Sequence, residues 1–501
     1  MYAPLKTVVI VGGGTAGWMA AMALARLIGP SVSVTLVESE AIGIVGVGEA
    51  TIPAIRHFNA AIRLDEAAFV RQTYGSYKLG IEFVGWGAPD QRYLHAFGDI
   101  GATFQGLPYH HYWIREGLER GQFRDLWAAS LSAVAARQNR FAPEVKGPDP
   151  RLTGPAYAFH FDATAYARAL RSQAEALGVR RIEGKIVSVD MAPDSGDVRA
   201  IRLESGAEVA GELFLDCSGF RGLLIEGALK TGYEDWGDWL PCDRALAVPC
   251  ESVSPLTPYT RASARPAGWQ WRIPLQHRIG NGHVYCSAMM SDDQAADLLL
   301  AHLDGPALAD PRPIRFTTGR RKDFWNRNVV ALGLASGFLE PLESTSIHLI
   351  QSGIVRLISL FPDARIDPVL RDTYNRQMGE EFERIRDFII LHYWANGRDE
   401  PFWRDRRAMT LPETLQRKID LFRQTGRIIR ENEELFTEVA WLQVLWGQGI
   451  RPEGFHPIAR QLTSGQTGEF MDHVETLVRT TAQRLPDHAA YIAAHVAATA
   501  A

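Results

Sequence analysis

The feature that most constrains this chain is the run Val8-Val-Ile-Val11, which leads straight into Gly12-Gly-Gly14-Thr-Ala-Gly17. A short, wholly apolar run closed by glycines reads as a strand buried on both faces, the habit of a parallel sheet. Thr15 to Ile28 then carries Trp18, Ala21, Leu24 and Ile28 at helical spacing. Val32 to Val37 is a second apolar strand, ending at Glu38. Strand, glycine turn, helix, strand and acid together form a βαβ unit with the Gly-x-Gly-x-x-Gly dinucleotide fingerprint. Gly12 makes the turn, Gly14 lets the backbone approach a pyrophosphate, and Gly17 lets helix and strand pack closely. The helix N-terminus offers free N–H groups and the positive end of its dipole to the anion. Glu38 is placed to accept from ribose hydroxyls. FAD and NAD satisfy this motif equally.

Residues 8 to 25 carry no charge and imitate a signal peptide or membrane span. The glycine interruption after four apolar residues argues against both, and no other stretch reaches membrane length. Apolar residues make up 46% and charged residues 22% of the 501, with a formal charge of -5. That balance is globular, and its mild acidity argues against nucleic-acid binding. The cysteines, Cys217, Cys242, Cys250 and Cys286, form no CxxC pair, so neither a metal site nor a disulfide framework is expected. The expectation is a cytoplasmic protein with no membrane association.

Further along, residues 42 to 53 are glycine-rich and read as a loop. Residues 54 to 84 read as helical, then extended at Ile81–Val84, which places Lys78 in a helical segment. Residues 87 to 155 read as long connections and short helices over a site. Leu213–Leu215 is a buried strand entering Asp216-Cys-Ser-Gly219, and Val329–Leu332 another entering Gly333-Leu-Ala-Ser-Gly337. Residues 244 to 290 alternate like strands. Residues 346 to 361 form a helix, and from about 366 the pattern is mainly helical, with an Ala-rich tail after 488. The adjacent His110 and His111 lack metal-ligand spacing and read as structural. The fold class expected is α/β and Rossmann-like, with the DCSG and GLASG strands returning to the cofactor as in a flavin fold; the resemblance given next implies an FAD-binding flavin monooxygenase fold with a mainly helical substrate-binding subdomain. Residues 1–365 would form the FAD module, with insertions at about 85–155 and 235–310, and 366–501 the helical part. There is one fingerprint only, so no separate NADPH domain is seen.

Three further motifs accompany the fingerprint: Gly46-Val-Gly-Glu-Ala-Thr-Ile-Pro53, Trp269-x-Trp271-x-Ile273-Pro274 and Glu340-Pro-Leu-Glu343-Ser-Thr-Ser346. With Lys78 in Tyr-Lys-Leu-Gly-Ile and with DCSGFRGLLI, the chain resembles the flavin-dependent tryptophan halogenase family from about residue 6 to about 460. The resemblance implies that FADH2, supplied by a separate NAD(P)H-dependent flavin reductase, uses O2 to oxidise a halide to hypohalous acid. The oxidant then passes through a short tunnel to a lysine, which holds it as a haloamine or by hydrogen bond. Lys78 matches that lysine and Glu343 the glutamate beside it. Thr345 and Ser346 match the pair whose backbone amides hold chloride or bromide. Gly12, Gly14, Thr15, Ala16, Gly17 and Glu38 match flavin positions, as do Ala50 in the loop over the flavin, Val187 near the adenine and Leu334 under the isoalloxazine. His95 matches a residue lining the substrate chamber, and Trp441 either stacks on the substrate or fills the core. In the family reading, Trp269 and Trp271 keep the flavin chamber from acting as a monooxygenase. No metal is implied, and a homodimer is compatible with the chain.

The residue chemistry agrees. A lysine in a dry pocket has a lowered pKa, so its neutral amine becomes available. A neighbouring carboxylate can take the ring proton as aromaticity returns. Two departures stand out. Ser346 stands where free-tryptophan enzymes commonly have glycine; its side chain crowds the halide, which leaves the choice between chloride and bromide open to a shift toward bromide. The paired tyrosines and acid that grip a free amino acid are absent from Val439–Gly447. An indole lacking the charged amino acid part, or another electron-rich aromatic, is therefore the expected substrate. The competing readings are a flavin monooxygenase that hydroxylates and a catalytically silent flavin-binding paralogue.

Overall fold

The computed structural model describes residues 3–42, 48–146, 152–432 and 434–496. Its chain divides into two compact units: 1–75, 161–243 and 315–383 in the first, and 76–160, 244–314 and 384–501 in the second. Each is assembled from three separate stretches of sequence. The helix Pro368–Trp394 contributes its first part to one unit and its remainder to the other.

The first unit is built on a six-stranded sheet. Its order is Trp325–Asn326, Val329–Ala331, Leu213–Asp216, Thr7–Val11, Ser33–Glu38 and Arg180–Glu183. All neighbours are parallel except the two-residue edge strand Trp325–Asn326. Val8 to Val11 lie at its centre and are fully buried, as expected of a strand covered on both faces. Val9, Val11, Val37, Phe214 and Val329 join Leu224 and Ile225 in one apolar cluster. The fingerprint helix, Thr15–Leu27, packs on the helices Ala163–Ala176 and Ser346–Ser359. An antiparallel sheet of Ile186–Met191, Val198–Leu203 and Glu208–Ala210 completes this side of the architecture.

The second unit is organised by a seven-stranded, mostly antiparallel sheet. Its order is Arg312–Arg315, Arg244–Cys250, Ile279–Tyr285, Gly268–Pro274, Thr260–Arg265, Gly80–Val84 and Arg92–Ala96. Trp269 and Trp271 alternate on one strand, with ring centroids 6.1 Å apart. Trp271 faces Gly282 across the ladder, and a Cβ at Gly282 would lie 2.0 Å from the indole, so only glycine leaves room for that ring. From Pro401 the chain is helical: Pro401–Arg407, Glu413–Thr425, Glu438–Gly447, Ser464–Ala482 and His488–Val496. The end of the Ala-rich tail, 497–501, lies outside the described residues.

The segment 54–84 departs from the sequence reading. Helices cover only Ala54–Ala61 and Glu66–Gln72, and two strands follow, Ser76–Lys78 and Gly80–Val84. Lys78 is a strand residue. The first strand is three residues long, too short to impose a legible period of two. The loop expected over 42–53 contains a short strand, Gly48–Ala50; residues 43–47, with Gly46 and Val47 of the motif, lie outside the described residues. Among the described residues no helix is long and apolar enough to cross a membrane. The four cysteines are buried and unbridged.

Candidate active site

In the first unit the fingerprint is a cradle of glycines, three of them held to glycine by neighbouring atoms. Gly12 has a left-handed φ of 110°, and a Cβ there would lie 2.3 Å from the Cys217 carbonyl oxygen. A Cβ on Gly17 would lie 1.9 Å from the Gly12 oxygen. Gly13, which the motif leaves open, is constrained too, because its Cβ would fall 1.4 Å from Glu38 Oε2. Gly14 is the exception: nothing stands within 4 Å of its Cβ position. It caps the helix Thr15–Leu27 with no side-chain cap bond. Open space above Gly14 beside an uncapped helix N-terminus suits a pyrophosphate. Glu38 is only partly available, since Arg181 Nε donates to its Oε1 at 2.5 Å.

The returning strands reach the same cradle. The Cβ position of Gly333 lies 2.9 Å from Ala16 Cβ, which sets the turn Gly333–Ala335, and Leu334 with it, beside the fingerprint. Asp216 organises the DCSG loop. Its Oδ1 accepts from the Ser218 backbone and hydroxyl at 3.0 and 2.6 Å, and its Oδ2 from the amides of Leu224 and Ile225 at 2.7 and 2.8 Å. Ala50 is buried in the short strand Gly48–Ala50, whereas the Val187 side chain is exposed on the antiparallel sheet. Beside Ala50, burial pushes the Glu49 carboxyl up to about 7, a group the sequence reading did not single out.

Glu343 ends the buried turn Pro341–Glu343, and Ser344, at φ 59°, reverses the chain before the helix Ser346–Ser359. Thr345 caps that helix with no side-chain cap bond, and its buried Oγ1 has no hydrogen-bond partner. An orphaned donor at a helix N-terminus fits a small anion held by the first-turn amides. Farther along this helix, His348 Nε2 and Ser352 Oγ bond the Glu381 carboxylate at 2.7 and 2.8 Å, and Arg356 joins them. Although burial works to raise it, His348 and Arg356 hold the Glu381 carboxyl down to about 2.

Lys78 belongs to the second unit and is fully buried. Its Nζ stands 5.2 Å from the centroid of the Phe97 ring, within cation–π range. His95 lies two residues before Phe97 on the strand Arg92–Ala96, opposite Ile81. A Cβ at Gly80 would lie 2.5 Å from the His95 carbonyl oxygen, so glycine lets these strands close up beside Lys78. Gln443 pins the same strand to the helix Glu438–Gly447, accepting from Ala96 N at 2.9 Å and donating to Ala96 O at 3.0 Å. Trp441 on that helix meets Phe388 edge-on at 4.7 Å, and Phe388 stacks on Phe436 at 3.8 Å with His95 alongside. Lys418 Nζ lies 4.9 Å from the Trp441 ring centroid, and the indole Nε1 is buried with no hydrogen-bond partner. His95 and Trp441 thus meet the same Phe388 ring, while Lys78 lies over Phe97, two residues past His95.

His160 was not foreseen. It is fully buried on the strand that pairs with Ser76–Lys78. Ser76 Oγ donates to the Pro274 carbonyl at 2.7 Å, so it accepts from His160 Nδ1–H at 2.9 Å. His160 Nε2 then accepts from the Thr260 hydroxyl at 3.0 Å. The network assigns a neutral Nδ1–H imidazole. Burial first, and then the Lys78 ammonium, hold its pKa well below the ordinary range, so it adds no charge beside the lysine.

A parallel sheet with a glycine cradle fit for a dinucleotide defines the first unit as a Rossmann-like, nucleotide-cofactor-binding module, and the second unit buries a lysine against an aromatic ring. The tryptophan halogenase family model matches residues 7–464. The chain is 36% identical over 441 residues to tryptophan 6-halogenase ThaL of Streptomyces albogriseolus, covering 84% of this chain and 82% of ThaL. It is 33% identical over 512 residues to tryptophan 7-halogenase RebH of Lentzea aerocolonigenes, covering 95% of each. Among solved structures, Xcc4156, a flavin-dependent halogenase from Xanthomonas campestris, superposes with a TM-score of 0.94 at 48% identity over 98% of both chains. BrvH, a flavin-dependent halogenase from Brevundimonas sp. BAL3, gives 0.92 at 44%, over 98% of this chain and 99% of BrvH. The chain belongs to the tryptophan halogenase family. It is an enzyme, a flavin-dependent halogenase of Rossmann-like fold.

Proposed function

We propose that this enzyme halogenates an electron-rich aromatic ring, an indole without a charged amino acid part or a comparable arene, with bromide favoured over chloride. FAD, delivered reduced by a separate flavin reductase, supplies the oxidation of halide by O2. Gly12, Gly14, Thr15, Ala16, Gly17, Glu38, Ala50, Val187 and Leu334 are assigned to hold it. The backbone amides of Thr345 and Ser346 take the halide, and the Ser346 hydroxymethyl group narrows that site. Lys78 holds and aims the oxidised halogen. Glu343 accepts the ring proton. His95 and Trp441 line the substrate's place.

The observation that carries this reading is Lys78: a fully buried lysine whose Nζ lies over the Phe97 ring, just past the end of the strand that carries His95. Burying a lysine away from water is costly, and a dry amine is suited to holding an electrophile. The neutral His160 network supports it by adding no competing charge. The test is purified enzyme with a flavin reductase, NADH, FAD, O2, bromide or chloride, and a panel of indoles and phenols, read by mass spectrometry. A brominated product from a neutral indole, with free tryptophan turned over poorly, is expected. A product carrying added oxygen, or flavin binding with no product, overturns the reading.

A further inference from the structure

We propose that the N-terminal turn of the helix Tyr109–Arg120, with His110, His111, His456 and Arg427 about it, is a binding site for a small monovalent anion. The cluster lies wholly within the second unit and does not depend on the roles assigned to Lys78 or Glu343. His110 and His111 occupy the first turn, which Pro108 caps with no side-chain bond. Their ring centroids are 4.1 Å apart, and that of His456 is 5.0 Å from His111. His110 is 1% exposed and neither of its ring nitrogens has a hydrogen-bond partner; His111 is 7% exposed and its Nδ1 has none. A buried imidazole with both nitrogens unsatisfied calls for an explanation, and packing alone would favour an aromatic hydrocarbon.

The tautomer of the third histidine points the same way. His456 Nδ1 accepts from the Ile458 amide at 3.2 Å, so the proton of the neutral ring resides on Nε2 as a donor. Arg427 follows Gly426, whose Cβ position lies 3.2 Å from Ile114 of the same helix. Its guanidinium acts on His111 and His456, its Nε has no hydrogen-bond partner, and it forms no ion pair among the described residues. The groups that oppose protonation of His110 and His111 are the neighbouring imidazoles and the Arg427 guanidinium, with no carboxylate among them. Burial first, then these neighbours, hold His110 at about 3 and His111 at about 4. Neutral imidazole donors, the first helix amides ahead of His111 (whose own N–H bonds the Pro108 carbonyl at 3.2 Å) and one guanidinium make an acid-free site with a single positive charge. A cation is disfavoured: the described residues hold no group of histidine, cysteine and carboxylate ligands that could bind a metal. The complete burial of His110 limits the ligand to something small, either a free halide or the carboxylate of an aromatic acid.

The test is calorimetric titration of the full chain with sodium bromide, indole-3-acetate and indole-3-acetamide, in wild type, Arg427→Gln and His110→Phe. Arg427 is only partly buried, so its variant keeps the test intact if His110→Phe fails to fold. Bromide binding lost in Arg427→Gln supports the proposal with free halide as the source. Indole-3-acetate binding at least tenfold tighter than the amide, with the preference lost in Arg427→Gln, supports it with the carboxylate as the source. Anion binding that is absent in wild type, or unchanged by the substitutions, overturns it. Bromination of 3-methylindole by wild type, assayed separately, reports on the halogenase reading and not on this site.

Discussion

The two units provide for chemistry in opposite ways. The first works through absent side chains: its cradle is a row of glycines, and three of them are forced by atoms 1.4 to 2.3 Å from where a Cβ would stand. The second works through side chains that are hard to bury: Lys78, His160 and His95, each held in aromatic or hydroxyl-lined surroundings. Backbone cradles recur wherever a phosphate must be held, so they define a fold class. A buried amine is costly to keep, which is why the proposed chemistry is placed at Lys78.

That contrast is broken most directly at Lys78. Lys78→Ala is expected to lower halogenation by on the order of 10³-fold or more, while NADH-coupled peroxide formation continues with reductase present. Halogenation at a wild-type rate would remove Lys78 from the chemistry. Next come the glycines. Gly17→Ala should destabilise the fold by roughly 1–3 kcal/mol and lose flavin binding. Gly14→Ala, with nothing within 4 Å and an ordinary φ of -73°, should keep its melting temperature and still lose flavin affinity by about tenfold, or 1.4 kcal/mol. Equal melting temperatures for the two variants, or full flavin affinity in Gly14→Ala, would contradict the division of labour.

Glu381 sharpens the comparison through pH. Its folded pKa of about 2 lies below its ordinary 4.5, so its stabilisation is present above pH 4.5 and is lost as pH falls toward 2. The amount is on the order of 3 kcal/mol. Urea unfolding at pH 7 and pH 3.5 should show a smaller acid loss in Glu381→Gln than in wild type. The effect expected at His160 is one of stability alone. His160→Leu leaves the Ser76 and Thr260 hydroxyls without their imidazole, costing about 1–3 kcal/mol, and chemical denaturation reads that loss directly. An unchanged midpoint would show that those hydroxyls re-pair at no cost.

The first unit was legible because its signals are local. Strand, glycines, helix and Glu38 follow one another, and the helix expected at 346–361 is found at Ser346–Ser359. The second unit was less so. Lys78 was read as helical because the strand Ser76–Lys78 is too short to show alternation, and its identity rested on resemblance. His160 reaches Ser76 from 84 residues away, a pairing that no local pattern announces. His110 and His111 read as structural because the third imidazole, His456, comes from the far end of the chain. Gly13 escaped notice because the fingerprint does not specify it; the constraint is the rotamer of Glu38.

The pair of hydrogen bonds between Gln443 and Ala96 has a practical consequence for protein engineering. The strand carrying His95 is closed by a residue encoded near the other end of the gene. Shortening the chain ahead of the helix Glu438–Gly447 would strip that strand of its clasp, and exchanging residues 76–160 between relatives without their matching 384–501 would pair a strand with a foreign fastener. Chimaeras meant to retune substrate choice should therefore move both segments together.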